Sequence, residues 1–239
     1  MIEVFEELAS TSAALIERIA GGATVPAGTW IVANRQTSGR GRQGRAWCDG
    51  QGNFMGSTFI RSAAGDPPVG TLSLVAGLAV REAVLKYAAP GTPVLLKWPN
   101  DLLVEGAKLS GILLEGVTGG VVVGIGVNLA VAPELPDRRT VSLDQLGKSP
   151  SRDEFTATLA QALDLQVERW RTYGLDYVIR CWDAAAHPIG TMLRSGDAGE
   201  GAVEGAFAGL APDGSLQLRL ADGSVRAIHA GEINLSNGS

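Results

Sequence analysis

Leu15, Ile16 and Ile19 recur at helical spacing, behind Ser10 or Thr11 as a cap and ahead of Gly21-Gly22 as a stop. The apolar run Trp30-Ile31-Val32-Ala33 then reads as a strand, and residues 53–60 read as a second. Residues 72–87 are apolar nearly throughout, as in a buried helix, and Pro90-Gly91 closes them. Four short apolar runs follow, at 94–98, 102–104, 108–115 and 121–127, separated by Asn100-Asp101, Glu105-Gly106 and Gly119-Gly120. That spacing predicts an antiparallel meander. Ser151 and Glu154 make a capping box ahead of Phe155, Leu159, Leu163, Val167 and Trp170, which share one helical face, and a further helix spans about 175–186. After His187-Pro188 the period shortens to alternation at 203–207, 216–220 and 225–228, with Asp213-Gly214 and Asp222-Gly223 as hairpin turns. The reading is a helix-and-strand (α+β) unit over 1–186 and a small β-barrel over 187–239.

Composition narrows the function classes. A 239-residue chain with 45% hydrophobic and 19% charged residues can bury a full core. The longest apolar run, 121–131, is broken by Gly124, Gly126 and Asn128 and is too short to cross a bilayer. Met1-Ile2-Glu3-Val4 lacks the basic and apolar regions of a signal peptide, so a cytoplasmic protein is expected. Cys48 and Cys181 are far apart, and the only histidines are His187 and His229, so no protein-held metal site is expected. The formal net charge of -5 argues against general binding to a nucleic-acid backbone.

Against that acidic background, Arg35, Arg40, Arg42 and Arg45 fall within residues 35–45 with no Asp or Glu among them. Gly39, Gly41 and Gly44 separate the last three, leaving backbone N–H groups open to a ligand beside guanidinium forks suited to phosphate or carboxylate. A small anion is the implied ligand. The loop satisfies the dinucleotide fingerprint Gly39-x-Gly41-x-x-Gly44, but residues 46–53 have no helical period and so cannot supply the helix that motif must open. It also begins like a Walker A loop, with Arg45-Ala46 where Lys and Ser/Thr are required.

A second constellation lies at Lys97-Trp98-Pro99-Asn100-Asp101 and Lys108-Leu109-Ser110-Gly111-Ile112-Leu113-Leu114-Glu115. Pro99 ends a strand, Asn100-Asp101 turn with their side chains exposed, and alternation places Lys108, Ser110 and Ile112 on one face of the next strand. In isolation this is a hairpin with a charged tip. Together with the arginine loop it resembles the catalytic domain of biotin protein ligases, whose hallmarks are a GRGRxGRxW loop and a KWPND…KLxGILxE segment, matched here at 39–47 and 97–115. Ser10-Thr11-Ser12 resembles the family's Ser-Thr-Asn with Ser12 in place of Asn. Residues 124–128 resemble its glycine-rich segment ending in Asn, and 230–235 resemble the end of its small C-terminal domain.

The resemblance implies a class II synthetase-like fold with a mixed, largely antiparallel sheet, plus an SH3-like β-barrel. It implies a two-step reaction in which biotin and ATP, with Mg²⁺, give biotinyl-5′-AMP, and a lysine of a biotin carboxyl carrier protein then takes the biotinyl group. Ser10, Thr11 and Gln36 would bond the ureido ring, although Ser10 and Thr11 also read as helix caps, and Gly39 and Gly111 would lie beside biotin. Arg40, Arg42 and Lys108 would offset the charge of carboxylate and phosphate. Asn100 and Asn128 would border the adenylate, with Trp47 packing the closed loop over it. Asp101 either takes the proton of the incoming amine or caps its turn. Lipoate ligases share the fold and the lysine but lack the arginine loop. Because the resemblance to the catalytic domain begins within a few residues of Met1, no DNA-binding domain and no DNA partner are expected; no membrane partner is implied, and a homodimer is common among relatives.

Overall fold

The computed structural model describes residues 1–48, 50–196 and 202–235; the rest of the expected C-terminal barrel, 197–201 and 236–239, lies outside them. The larger sheet takes β1 (Ile2–Leu8), β2 (Trp30–Gln36), β3 (Phe54–Arg61), β4 (Val94–Lys97), β5 (Asp101–Val104), β6 (Ala107–Val117) and β7 (Gly120–Val127), in the order β1-β2-β3-β7-β6-β5-β4. The run β4 to β7 is the meander expected from the turn residues. β1 was not anticipated. It pairs parallel with β2, and because it is an edge strand Ile2 and Val4 stay exposed, which removes the clean apolar alternation that marks a strand.

Among the described residues, three α-helices cover the sheet. Helix α1 (Thr11–Ala20) is capped by Ser10, whose Oγ accepts from Ala13 N at 3.4 Å, and stops at Gly21. Helix α2 (Leu72–Leu85) is buried on most of its circumference. Helix α3 (Arg152–Ala185) begins at the expected capping box, with Glu154 N donating to Ser151 Oγ at 3.2 Å and Ser151 N donating to Glu154 Oε2 at 2.9 Å. The two helices read from the sequence are one element with a kink at Gly174, whose φ of 74° glycine tolerates. Alternation along β7 sorts the layers: Val121, Val123 and Ile125 join the core under α2 and α3, while Val122 joins Leu15, Ile31 and Phe59 under α1. Gly124 and Gly126 continue the α1 face without side chains of their own, and Ser12 and Trp47 approach the backbone there instead.

The smaller sheet holds β8 (Met192–Ser195), β9 (Val203–Leu210), β10 (Leu216–Arg219), β11 (Val225–Ile228) and β12 (Ile233–Leu235), ordered β11-β10-β9-β8-β12 and antiparallel throughout. Its Phe207, Leu216, Leu218 and Ile233 belong to the same core as α2 and α3. Trp98 Nε1 donates to Gly214 O at 3.1 Å, and Leu210 N donates to Asp183 Oδ1 at 3.2 Å, so polar contacts also tie the smaller sheet to the end of β4 and to α3. Among the described residues no helix is long and apolar enough to cross a membrane.

Candidate active site

The bare stretch of the α1 face opens into a cavity of about 320 Å³ that meets both signature segments. One end is a buried polar pocket. Thr11 N donates to Gln36 Oε1 at 2.7 Å, and Ser57 Oγ lies 2.8 Å from Thr11 Oγ1 and 3.0 Å from Ser12 Oγ. Ser10, Thr11 and Ser12 are each under 7% exposed because α1 begins against the sheet, so the cap residues double as cavity lining. Ser57 escaped the sequence reading: it sits in mid-strand, and only the register Ser57↔Gly124 brings it beneath α1.

The middle of the cavity has a glycine floor. A Cβ at Gly126 would come within 2.3 Å of the Trp47 indole, and one at Gly111 within 3.1 Å of Trp47 and 3.2 Å of Lys108 Nζ. Gly111 and Gly126 are register partners, so their missing side chains make one continuous floor on which the Trp47 indole can lie close to the sheet. Gly39 holds the loop at its other end, where a Cβ would meet Gln36 Nε2 and Trp47 O at 3.0 Å. Residues 39–47 fold back on themselves, Trp47 N donating to Gly39 O at 2.9 Å and Gly41 N to Arg45 O at 2.7 Å.

The far end is a cluster of charge. Lys108 Nζ lies 2.7 Å and Lys97 Nζ 4.0 Å from Asp101. Two expectations are corrected here. Asp101 is not an exposed turn residue but is 8% exposed, because it starts β5 opposite Gly111. Lys108 does not share a face with Ser110 and Ile112: the register against β5 slips between Leu102 and Leu103, and this bulge turns Lys108 toward Asp101 and Gly111. Ser110 instead donates to Gly126 O at 2.7 Å, and Ile112 packs in the α2 core.

The arginines divide their partners. Arg42 Nη1 donates to Asn100 Oδ1 at 3.1 Å and Nη2 to Gly231 O at 3.4 Å. Arg40 pairs with Glu115 at 3.6 Å and Arg45 with Glu232 at 2.7 Å, and the sequence pattern also missed Arg138, which bonds Asp137 and lies 3.2 Å from Glu232. Arg35, the fourth guanidinium, pairs with Glu7 at 3.1 Å on the exposed surface. Burial pushes Arg42 and Lys97 below their ordinary values, opposed by the Asp101 carboxylate. For Glu232 burial acts upward, but the bond from Arg45 and the charges of Arg45, Arg138 and Lys97 hold its carboxyl below the usual range. Asn128 Nδ2 donates to Val141 O at 3.1 Å, while its Oδ1 is buried beside the cavity with no partner among the described residues.

The sequence profile of the Biotin/lipoate A/B protein ligase family matches residues 5–131, and that of the Biotin protein ligase C terminal domain matches 194–236. A Biotin--[acetyl-CoA-carboxylase] ligase of Paracoccus denitrificans is 37% identical over 203 residues, covering 80% of this chain and 83% of that protein. The chain belongs to the biotin protein ligase family. A second ligase of that name, from Mycobacterium tuberculosis, is 40% identical over 176 residues, or 71% of this chain and 65% of its own length. Among solved structures, the biotin protein ligase from Aquifex aeolicus in complex with biotin and ATP superposes with a TM-score of 0.84 at 28% identity, covering 98% of this chain and 99% of that one. Of the biotin protein ligase residues expected from sequence, Ser10, Thr11, Gln36, Arg40, Arg42, Trp47, Asn100, Asp101, Lys108, Gly111 and Asn128 all line the cavity, while Gly39 stands behind Gln36 and Trp47.

Proposed function

We propose that this chain activates biotin with ATP to biotinyl-5′-AMP and transfers the biotinyl group to a lysine of a biotin carboxyl carrier protein. One observation carries the reading. A single cavity joins a buried polar pocket to a cation cluster through a glycine-floored slot, matching a molecule with a polar ring, an apolar chain and a carboxylate that must meet a phosphate. Thr11, Ser12 and Gln36, backed by Ser57, supply paired donors and acceptors for the ureido ring.

In the first step a biotin carboxylate oxygen attacks the α-phosphorus of ATP, and the bond to the β-phosphate oxygen breaks to release pyrophosphate. Lys108, Arg40 and Arg42 border the region where the two anions meet, and their fixed charge offsets the repulsion and stabilises the transition state. Asn128 Oδ1 offers an acceptor for the amino group of adenine. Asp101, Asp137 and Glu232 are each ion-paired, so Mg²⁺ would enter with the nucleotide and would neutralise part of the triphosphate charge there.

In the second step the acceptor amine attacks the acyl carbon and AMP leaves. Asp101 accepts the amine's proton once Lys108 has turned to the adenylate, with Lys97 Nζ remaining 4.0 Å from that carboxylate. The test of the first step is pyrophosphate release. It should require biotin and ATP together and should fall sharply with lipoate in place of biotin; release that does not depend on biotin would remove the reading.

A further inference from the structure

The arginine loop precedes β3, yet two of its guanidiniums, those of Arg42 and Arg45, reach the turn before β12. Glu232 Oε1 lies 2.7 Å from Arg45 Nη1 in the loop and 3.2 Å from Arg138 Nη2 in the segment after β7. Gly231 O accepts from Arg42 Nη2 beside them. Arg45, Arg138 and Glu232 all line the cavity. The turn is firmly based: Ile233 is 1% exposed and pairs with Ser195, and Gly196 N donates to Glu232 O at 3.0 Å. Remove the Glu232 charge and Arg42, Arg45, Arg138 and Lys97 lose a carboxylate that acts on all four, while Asp101 is already paired with Lys108 and Asp137 with Arg138. Like charges at that density drive flexible segments apart.

We propose that Glu232 is a positioning residue for the nucleoside triphosphate. Its carboxylate holds Arg45 and Arg138 at the spacing that receives the β- and γ-phosphates, so the closed geometry of the arginine loop depends on the C-terminal sheet. The proposal rests on the ligase reading above. It separates the two ends of the cavity: the polar pocket of Thr11, Ser12 and Gln36 makes no contact with Glu232, so biotin binding is independent of it. A residue that merely held the fold together would disturb both substrates alike.

Pyrophosphate release is to be measured against ATP and, separately, against biotin for wild type, Glu232→Gln, Glu232→Asp, Arg45→Gln and the Glu232→Gln/Arg45→Gln double variant. Glu232→Gln should raise KM for ATP about tenfold, as for loss of a partly exposed charge pair, and leave KM for biotin within about twofold. Glu232→Asp should recover part of the loss, and the double variant should be no worse than the poorer single variant within about twofold, because one interaction is removed twice. Should circular dichroism show Glu232→Gln to be unfolded, Glu232→Asp carries the same ATP-against-biotin comparison. An unchanged KM for ATP, an equal rise for both substrates, or fully multiplicative losses would overturn the proposal. Wild-type enzyme releasing no pyrophosphate would overturn the ligase reading itself.

Discussion

Lys108 Nζ and Asp101 Oδ1 lie 2.7 Å apart because a bulge in β6 turns the lysine onto the aspartate's face. The pair sets a cation beside the glycine floor and a carboxylate where an acceptor amine must lose its proton. Lys108→Ala should lower the rate of adenylate formation by about a hundredfold or more. Asp101→Asn should slow transfer from preformed adenylate by about a hundredfold while slowing adenylation less. Rapid-quench single-turnover assays of each step separate the two, and equal losses in both steps would leave Asp101 as a positioning group for Lys108 alone.

Arg42 ties the loop to Asn100 and Gly231. Arg42→Gly cuts both ties at a half-buried position without opening the core, so the melting temperature should change by only a few degrees. The mixed anhydride should then escape, and free biotinyl-5′-AMP in solution should rise about tenfold or more by mass spectrometry. Retention equal to wild type would count against the clamp.

The amount legible in the sequence depended on range. The glycine-arginine loop, the charged hairpin and the α3 capping box are local, and the structure brings the first two together over the glycines. The partners of the arginines are not local: Glu232 is 187 residues from Arg45, and no periodicity links them. Lys108 illustrates a second limit. Strict alternation assigned it to the face of Ser110, and only the pairing with β5 shows the extra residue that reverses it. β1 was missed because an edge strand needs no apolar face on its outer side, and Ser57 because a mid-strand serine carries no signal until its neighbour across the sheet is a glycine.

Gly126 provides a steric test of the slot. A methyl group there would lie 2.3 Å from the Trp47 ring, so Gly126→Ala must displace the indole. The expected cost is about 1–3 kcal/mol of stability, with a change in tryptophan fluorescence and a loss of biotin affinity. Titration calorimetry with biotin showing wild-type affinity would mean that Trp47 does not wall the slot.

His187 gives the chain an acid-sensitive joint between α3 and the smaller sheet. The side chain is buried, its Nε2 has no partner among the described residues, and burial, aided by the Lys97 charge, holds its pKa below the ordinary 6.5. The unfolded chain therefore takes up a proton at His187 at a higher pH than the folded chain does. The stability from neutral His187 is complete above 6.5 and is lost as pH falls from there through the folded value. Between about pH 7 and about pH 5, the melting temperature of His187→Gln should fall less steeply than that of wild type. Parallel curves would remove His187 from the acid response.

Carrier modification tests the central claim most directly. A biotin carboxyl carrier domain incubated with this protein, biotin and ATP should gain one biotinyl group on its acceptor lysine, read by intact-protein mass spectrometry, and should gain none when ATP is omitted. A carrier whose mass stays unchanged in the complete mixture would contradict the account.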